Sequence, residues 1–549
     1  MVDKALVSLS ENRIIQRIWE RDYTVWKQGP TEISNRLGWL NTADNMLKKL
    51  HLIDELVGGA QAAGYTQVYL LGMGGSSLAP KVFSKTFGTR SGYLDLKLID
   101  STDPDFILEH SKRIDPGKTL FIVSTKSGTT EETLSFFRFF YNQAASAVGN
   151  GKAGEHFVAI TDPGTKLTTL AEQYRFRATF LNDPNIGGRY SALSFFGLVP
   201  AALIGVDLVR LLKQTKDVAS RCDSCDVKEN PSAWLGGILG ELAKAGRDKV
   251  TFVTSDKIAS FADWAEQLIA ESTGKEESGI LPVVGEPLGP PEVYGNDRLF
   301  VYLQLNGDTA HDSELSALEK TGQPIVRIRF HDPYDIGRQF FLWEMAVAIA
   351  GHIIGINPFD QPNVELAKAL AKQMVANYAE KDASPTERKL SDSDQLCAYG
   401  SIKANTAGEA LMSFLKQTQQ GAYLALQAYV NPTAETYRAL QTLRVRLRKH
   451  SKLATTVGYG PRFLHSTGQL HKGDAGHGFF LQFTSEHQQD APIPDEAGSI
   501  SSTVSFGTLE AAQALGDYKA LLSLGRKAIR FHFDRNVVDG LNQLSEAIE

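Results

Sequence analysis

Two short segments of this chain combine glycine with hydroxyl side chains, and each follows a run of apolar residues. Leu71-Gly72-Met73-Gly74-Gly75-Ser76-Ser77 follows Val68-Tyr69-Leu70, and Ser124-Thr125-Lys126-Ser127-Gly128-Thr129-Thr130-Glu131-Glu132-Thr133 follows Phe121-Ile122-Val123. Each reads as the end of a short strand and the opening of a helix, where glycines let backbone approach an anion and unpaired N–H groups point at it. Ser76, Thr125, Ser127, Thr129 and Thr130 add hydroxyl donors, while Glu132 is placed to stabilise the helix start. Helix capping alone would account for one such serine, but not for hydroxyl groups crowded around Lys126 and Gly128. The P-loop spacing is absent, and the first loop lacks the third glycine of a dinucleotide fingerprint. The pattern therefore favours a sugar phosphate over a nucleotide.

These turns need a scaffold. From residue 68 the chain alternates β-rich runs (68–71, 96–99, 120–123, 157–160 and 178–181) with helical lengths, which predicts a doubly wound parallel sheet. The rhythm restarts at 250–254 after a helix at 234–245, continues through 299–305 and 325–330, and closes with a helix at 339–354. A Pro/Asp/Ser-rich stretch at 382–394 marks a boundary, after which 422–430, 453–457, 479–483 and 528–533 read as strands of a third, smaller α/β unit. Residues 12–50, with Trp19, Trp26 and Trp39, have helical periodicity and read as a packing cap on the first domain. The segment 486–501 reads as an exposed loop. Expected boundaries are 1–50, 51–225, 226–380 and 381–549. In such sheets ligands bind at the carboxyl ends of the strands, where both hydroxyl-rich turns belong.

Composition narrows the partners. With 549 residues, 42% hydrophobic and 22% charged, the chain can bury a large core. A net charge of -6 gives no general attraction to nucleic acid or an anionic membrane, so positive potential must be local to a pocket. The three cysteines, Cys222, Cys225 and Cys397, make no disulfide framework and fit a reducing compartment. Cys222 and Cys225 have no second close ligand pair for zinc, and the charged run 216–228 reads as a loop. The N-terminus has no signal core, so a cytoplasmic location is expected.

The motifs resemble a known family. Gly74-Gly75-Ser76-Ser77-Leu78-Ala79-Pro80, the 124–133 segment and Gly187-Gly188-Arg189-Tyr190-Ser191 look like the sugar-isomerase (SIS) motifs of the glucose-6-phosphate isomerase family. Glu266-Gln267-Leu268-Ile269-Ala270-Glu271-Ser272-Thr273-Gly274-Lys275 resembles its catalytic-glutamate segment, and Phe359-Asp360-Gln361-Pro362-Asn363-Val364-Glu365-Leu366-Ala367-Lys368 its late signature. The tail, with Gly458-Tyr459-Gly460-Pro461-Arg462 and His465-Ser466-Thr467-Gly468-Gln469-Leu470-His471, looks most like the isomerase part of fused transaldolase/glucose-6-phosphate isomerases. The resemblance implies an α/β fold with two doubly wound SIS-type parallel-sheet domains plus the smaller C-terminal α/β unit, the site lying between the first two.

The resemblance also implies reversible isomerisation of glucose 6-phosphate and fructose 6-phosphate through a cis-enediol, without metal or organic cofactor. Glu271 would be the base, Arg189 would face the enediolate oxygen, and Lys368 would take part in ring opening. Gly75, Ser76, Thr125, Lys126, Ser127 and Thr130 would hold phosphate, and Gln267 and Gln361 the sugar. Gln267 lies one helical turn before Glu271 on the same face. The family's ring-opening histidine has no counterpart in 289–297; His465 and His471, expected on a loop, are the candidates to replace it. Relatives are commonly dimers, so both a homodimer and completion of the site in cis by the C-terminal unit are expectations. A non-catalytic sugar-phosphate sensor and an isomerase that also accepts mannose 6-phosphate are the competing functions.

Overall fold

The computed structural model describes residues 1–363, 369–370, 389–391 and 396–548. The first sheet is formed by β1 (Gln67–Gly72), β2 (Asp95–Ile99), β3 (Thr119–Ser124), β4 (Phe157–Thr161) and β5 (Ala178–Leu181), all parallel, in the order β2-β1-β3-β4-β5. Both faces are covered, so β1 is an unbroken apolar run: Val68 and Leu70 enter one core, Tyr69 and Leu71 another. The second sheet comprises β6 (Lys249–Thr254), β7 (Leu281–Val283), β8 (Arg298–Leu305) and β9 (Ile325–Phe330), parallel, in the order β7-β6-β8-β9. It repeats the winding of the first sheet without a fifth strand. β7 escaped the sequence reading because it is three residues long and contains Pro282.

The third sheet contains β10 (Lys389–Ser391), β11 (Leu396–Tyr399), β12 (Tyr423–Tyr429), β13 (Ala454–Tyr459) and β14 (Gly478–Ser485). After a small hairpin of β15 (Pro492–Ile493) and β16 (Val504–Ser505), it is completed by β17 (Lys527–Phe533), giving the order β10-β11-β17-β14-β12-β13. β13, β12, β14 and β17 are parallel, and their order repeats the winding of the second sheet. The antiparallel edge pair β10 and β11 brings the C-terminal unit, expected to be the smaller, to six strands against four in the second. The expected boundary stretch 382–394 lies largely outside the described residues, and its described part, 389–391, is β10.

Three local expectations are corrected. The charged run 216–228 is not simply a loop, because the helix Leu208–Cys222, which buries Leu208, Leu211, Leu212, Thr215, Val218 and Cys222, runs through its first half. The Trp-bearing N-terminal segment breaks into short helices and turns and is not a cap on the first unit alone. Trp26 Nε1 donates to the Ala348 carbonyl at 2.8 Å, and Trp19 packs on Phe341, both on the helix Asp335–Ile354 that follows the second sheet. The segment 486–501 is not merely exposed: Ala491 and Ile493, with Phe506 and Leu509, enter the core on one face of the first sheet. Each fully buried Ile, Phe or Leu there contributes about 1.5–3 kcal/mol, which seats the third unit on the first.

The third unit also joins the second. Leu281 and Val283 share a core with Tyr423, Ala425, Leu470, Phe480 and Tyr518. Buried Glu286 meets Arg298 at 3.1 Å and Arg448 at 3.5 Å, and accepts from Thr455 Oγ1 at 2.7 Å. Among the described residues no helix is long and apolar enough to cross a membrane.

Candidate active site

The two hydroxyl-rich turns stand side by side because β1 and β3 are neighbours in register, with Gly72 opposite Ser124. The helices that follow, Gly75–Phe87 and Glu131–Val148, both begin without a side-chain cap. In the first of these helices Ser76 N and Ser77 N already donate to the carbonyls of Met73 and Gly74 at 3.1 and 3.0 Å, so Gly75 N is the donor left at that strand end, beside the start of the second helix. Thr130 stands at the N-cap position, yet its hydroxyl meets that of Thr125 at 2.8 Å instead of closing the helix. Ser127 Oγ accepts from Thr129 N at 3.3 Å and from Thr129 Oγ1 at 3.0 Å, which folds the loop back on itself. Ser76 lies in the first turn of its helix.

The side chain of Lys126 is already engaged. Its ammonium pairs with Asp162 and donates to the Pro184 carbonyl at 3.1 Å, so the side chain braces the loop from behind rather than reaching across it. Asp162 sits 36 residues away at the end of β4, and sequence spacing gave no hint of the pairing.

Glycines 74 and 75 join this loop to the rest of the site. Gly74 has φ +54°, and a Cβ there would lie 2.8 Å from the His465 carbonyl oxygen. A Cβ on Gly75 would stand 2.1 Å from the Gly188 carbonyl, so any side chain would drive the turn Gly188–Tyr190 away. That turn carries Arg189. Tyr190 behind it stacks on Trp39 at 5.3 Å, which gives the N-terminal segment a share in the site.

Arg189 is 2% exposed and almost fully engaged. Nε donates to Ser272 Oγ at 2.8 Å, Nη1 to Gln361 Oε1 at 2.8 Å, and Nη2 to the carbonyls of Pro358 and Asp360 at 2.7 and 2.9 Å. A guanidinium has five N–H groups, so one on Nη1 remains without an acceptor among the described residues. Nη1 lies 3.6 Å from Glu271 Oε1. Glu271 is on the helix Ser260–Thr273, and one turn earlier Gln267 Nε2 donates to Glu271 Oε2 at 3.0 Å, as the helical spacing predicted. The same amide donates to the His465 carbonyl at 2.8 Å, and Gln267 Oε1 is buried without a partner among the described residues. Gln361 grips Arg189, a contact its spacing to Lys368 did not foretell. Lys368 itself lies outside the described residues.

His465 comes from the third unit, in the turn Arg462–His465 after β13. Its Nε2 lies 2.9 Å from Glu132 Oε1, and Gln513 Nε2 donates to the same oxygen at 2.7 Å. Glu132 lies in the first turn of its helix, as expected, and is also a buried partner of histidine. Burial alone would raise its carboxyl, but the His465 charge and hydrogen bond outweigh burial and hold it below the ordinary range. His471 does not join this group. It lies in the helix Gly468–Gly473, not on a loop, and packs against Phe480 at 5.0 Å inside the third unit. Burial holds its imidazole well below the usual range.

Sequence reasoning missed several residues of the site. Lys275 ends the glutamate motif and is 1% exposed; its ammonium donates to Asp360 Oδ1 at 2.8 Å, and burial together with Arg189 pushes it down to about 8. Ser272 is in the same motif. Gln513, 381 residues from Glu132, carried no signal at all.

Hydroxyl-rich turns at the carboxyl end of a parallel sheet, with a buried arginine and a glutamate beside them, define an α/β protein whose candidate ligand is anionic. The family profile described as phosphoglucose isomerase matches residues 5–280. A curated glucose-6-phosphate isomerase of Carboxydothermus hydrogenoformans is 30% identical over 356 residues, 54% of this chain and 76% of that protein. Among solved structures, hypothetical protein TT0462 from Thermus thermophilus superposes with a TM-score of 0.60 at 24% identity, over 68% of this chain and 97% of that one. A glucose-6-phosphate isomerase from Chlamydia trachomatis gives 0.51 at 21%, over 67% and 78%. The chain belongs to the phosphoglucose isomerase family.

Proposed function

We propose that this chain interconverts glucose 6-phosphate and fructose 6-phosphate through a cis-enediol, with Glu271 carrying the proton between C2 and C1. One observation carries the reading: the Arg189 nitrogen that keeps an uncommitted N–H faces Glu271, beside the loop of Gly74 and Gly75. A carboxylate there can accept a carbon-bound proton and return it to the neighbouring carbon. The fixed guanidinium stabilises the developing enediolate oxygen without protonating it. Arg189 needs no reorganisation, because four of its N–H groups are already held.

The phosphate is assigned to the two uncapped helix starts, with hydroxyls from Ser76, Thr125, Ser127 and Thr130 and backbone from Gly75. Lys126 contributes its backbone, since its ammonium is taken by Asp162. Gln267 offers its unpartnered Oε1 to a sugar hydroxyl. Ring opening falls to His465, oriented by Glu132, with Lys368 as the second group. His465 reaches this position from the third unit of the same chain, which favours completion of the site in cis over a shared dimeric site.

Glu271→Gln keeps the shape and removes the base. Conversion of fructose 6-phosphate should fall at least ~100-fold, the effect of deleting an acid/base group. Retained turnover would reassign the base, and retained phosphosugar binding without any wild-type turnover would return the chain to a sensor.

A further inference from the structure

A second histidine crosses the seam between the first and third units. His487 follows β14 as the His465 turn follows β13, so both descend from the carboxyl edge of the third sheet. Its Nδ1 lies 3.7 Å from Asp103 Oδ2, and its Nε2 lies 3.3 Å from Glu510 Oε2. Asp105 stands beside them. One ligand atom each from Asp103, Asp105 and His487 falls within 4.8 Å of the others.

We propose that Asp103, Asp105 and His487 bind a divalent transition-metal ion of the zinc class, with Glu510 behind the imidazole, and that this structural ion pins the third unit to the first.

Three observations carry the assignment. Asp103 is 1% exposed, and its Oδ2 is buried without a hydrogen-bond partner among the described residues, although Oδ1 caps the following helix through Phe106 N. An unpartnered buried carboxylate oxygen 3.7 Å from a ring nitrogen is too far for a hydrogen bond, but at ligand distances of about 2.1 Å that separation subtends about 124°, the angle of a widened tetrahedron. Second, Glu510 Oε2 faces the far ring nitrogen at 3.3 Å, the place from which a carboxylate can act as outer partner of a histidine that ligates through Nδ1. Third, the charges do not balance. Asp103, Asp105 and Glu510 surround one imidazole, and no lysine or arginine pairs with them among the described residues. A cation removes that conflict.

Asp105 and His487 are only partly buried, which leaves an entry path. Both Asp105 oxygens accept backbone N–H groups, from Gln488 at 2.9 Å and Gln489 at 3.1 Å, and each keeps a second lone pair. Imidazole with carboxylate oxygen suits zinc, cobalt or manganese better than calcium. The location bears on function. Thr102 Oγ1 donates to Gln513 Oε1 at 3.1 Å, and Gln513 in turn holds Glu132. The ion would thus stiffen the support of His465, although the isomerisation itself calls for no metal. The assignment stands whether or not Glu271 is the base.

The test uses the full chain without an affinity tag, stripped with chelator, desalted and given Zn2+ alone. One zinc per chain should survive gel filtration, and Tm should rise. His487→Gln should weaken binding at least ~10-fold, the minimum seen even for outer partners, and abolish the rise. If that variant does not fold, Asp105→Asn at the rim supplies the same comparison. The proposal is overturned if no zinc is retained, if the ligand variants bind as tightly as wild type, or if Cys225→Ser is what removes binding.

Discussion

The third unit meets its neighbours across two seams that are electrostatic opposites. At the seam with the second unit the surplus is cationic: Arg298 of the second unit and Arg444 and Arg448 of the third gather around Glu286, all nearly or fully buried. At the seam with the first unit the surplus is anionic: Arg462 pairs with Asp100 at 3.5 Å, but Asp103, Asp105, Glu510 and Glu132 are answered by His465 and His487. The seam with the second unit is held largely by backbone carbonyls that accept guanidinium N–H groups, although Arg298 Nε and Arg448 Nε stay without a partner among the described residues. Arg444 donates to Val284 and Thr455, Arg298 to Leu453 and Arg448 to Pro287. Surplus carboxylates need N–H donors, protons or a cation; backbone N–H groups serve Asp105 and Asp103 Oδ1, but Asp103 Oδ2 and Glu510 Oε1 have no hydrogen-bond donor among the described residues.

The largest expected effect would break this contrast outright. Glu286→Gln removes the counter-charge shared by three buried guanidinium groups and should cost about 3–5 kcal/mol in denaturant unfolding. Glu510→Gln, in chelator-treated protein, should be neutral or stabilising. Equal losses in both would refute the claim that the two seams differ in kind. Next, His465→Asn should slow conversion of ring-closed glucose 6-phosphate by at least ~100-fold, while an open-chain substrate loses less. Equal loss on both would reduce His465 to a structural peg.

The smallest effect concerns Glu266, on the helix of Glu271, whose carboxyl burial and Asp263 push up to about 7. Between its ordinary 4.5 and about 7 the folded chain holds a proton that the unfolded chain lacks. This group's contribution is present below 4.5 and is lost as pH rises through about 7. Glu266→Gln should raise Tm at pH 8 and leave it unchanged near pH 4. A gain at both would mean that packing, not charge, sets the cost.

Much of the scaffold was legible because it rests on local signals. Apolar runs such as Phe121-Ile122-Val123, followed by glycine and hydroxyl residues, locate a strand end and a helix start whatever lies elsewhere in the chain. The Gln267 and Glu271 contact followed from one helical turn. Illegible parts were those in which a side chain chose among distant partners. Lys126 turned to Asp162, and Gln361 turned to Arg189. The segment 486–501 looked solvated because its polar residues outnumber Ala491 and Ile493, yet those two residues anchor it.

The sequence by itself determined the alternating strands and helices, the glycine and hydroxyl turns at their junctions, and the residue types able to move a proton on a phosphosugar. All of these depend on backbone periodicity and on chemistry within a few residues. Only the tertiary structure decided that a histidine 333 residues beyond Glu132 would stand against it, and that acids would crowd one seam and arginines the other. Those outcomes depend on which sheet edges face each other and on how buried charges find partners across them, and neither is written in local spacing.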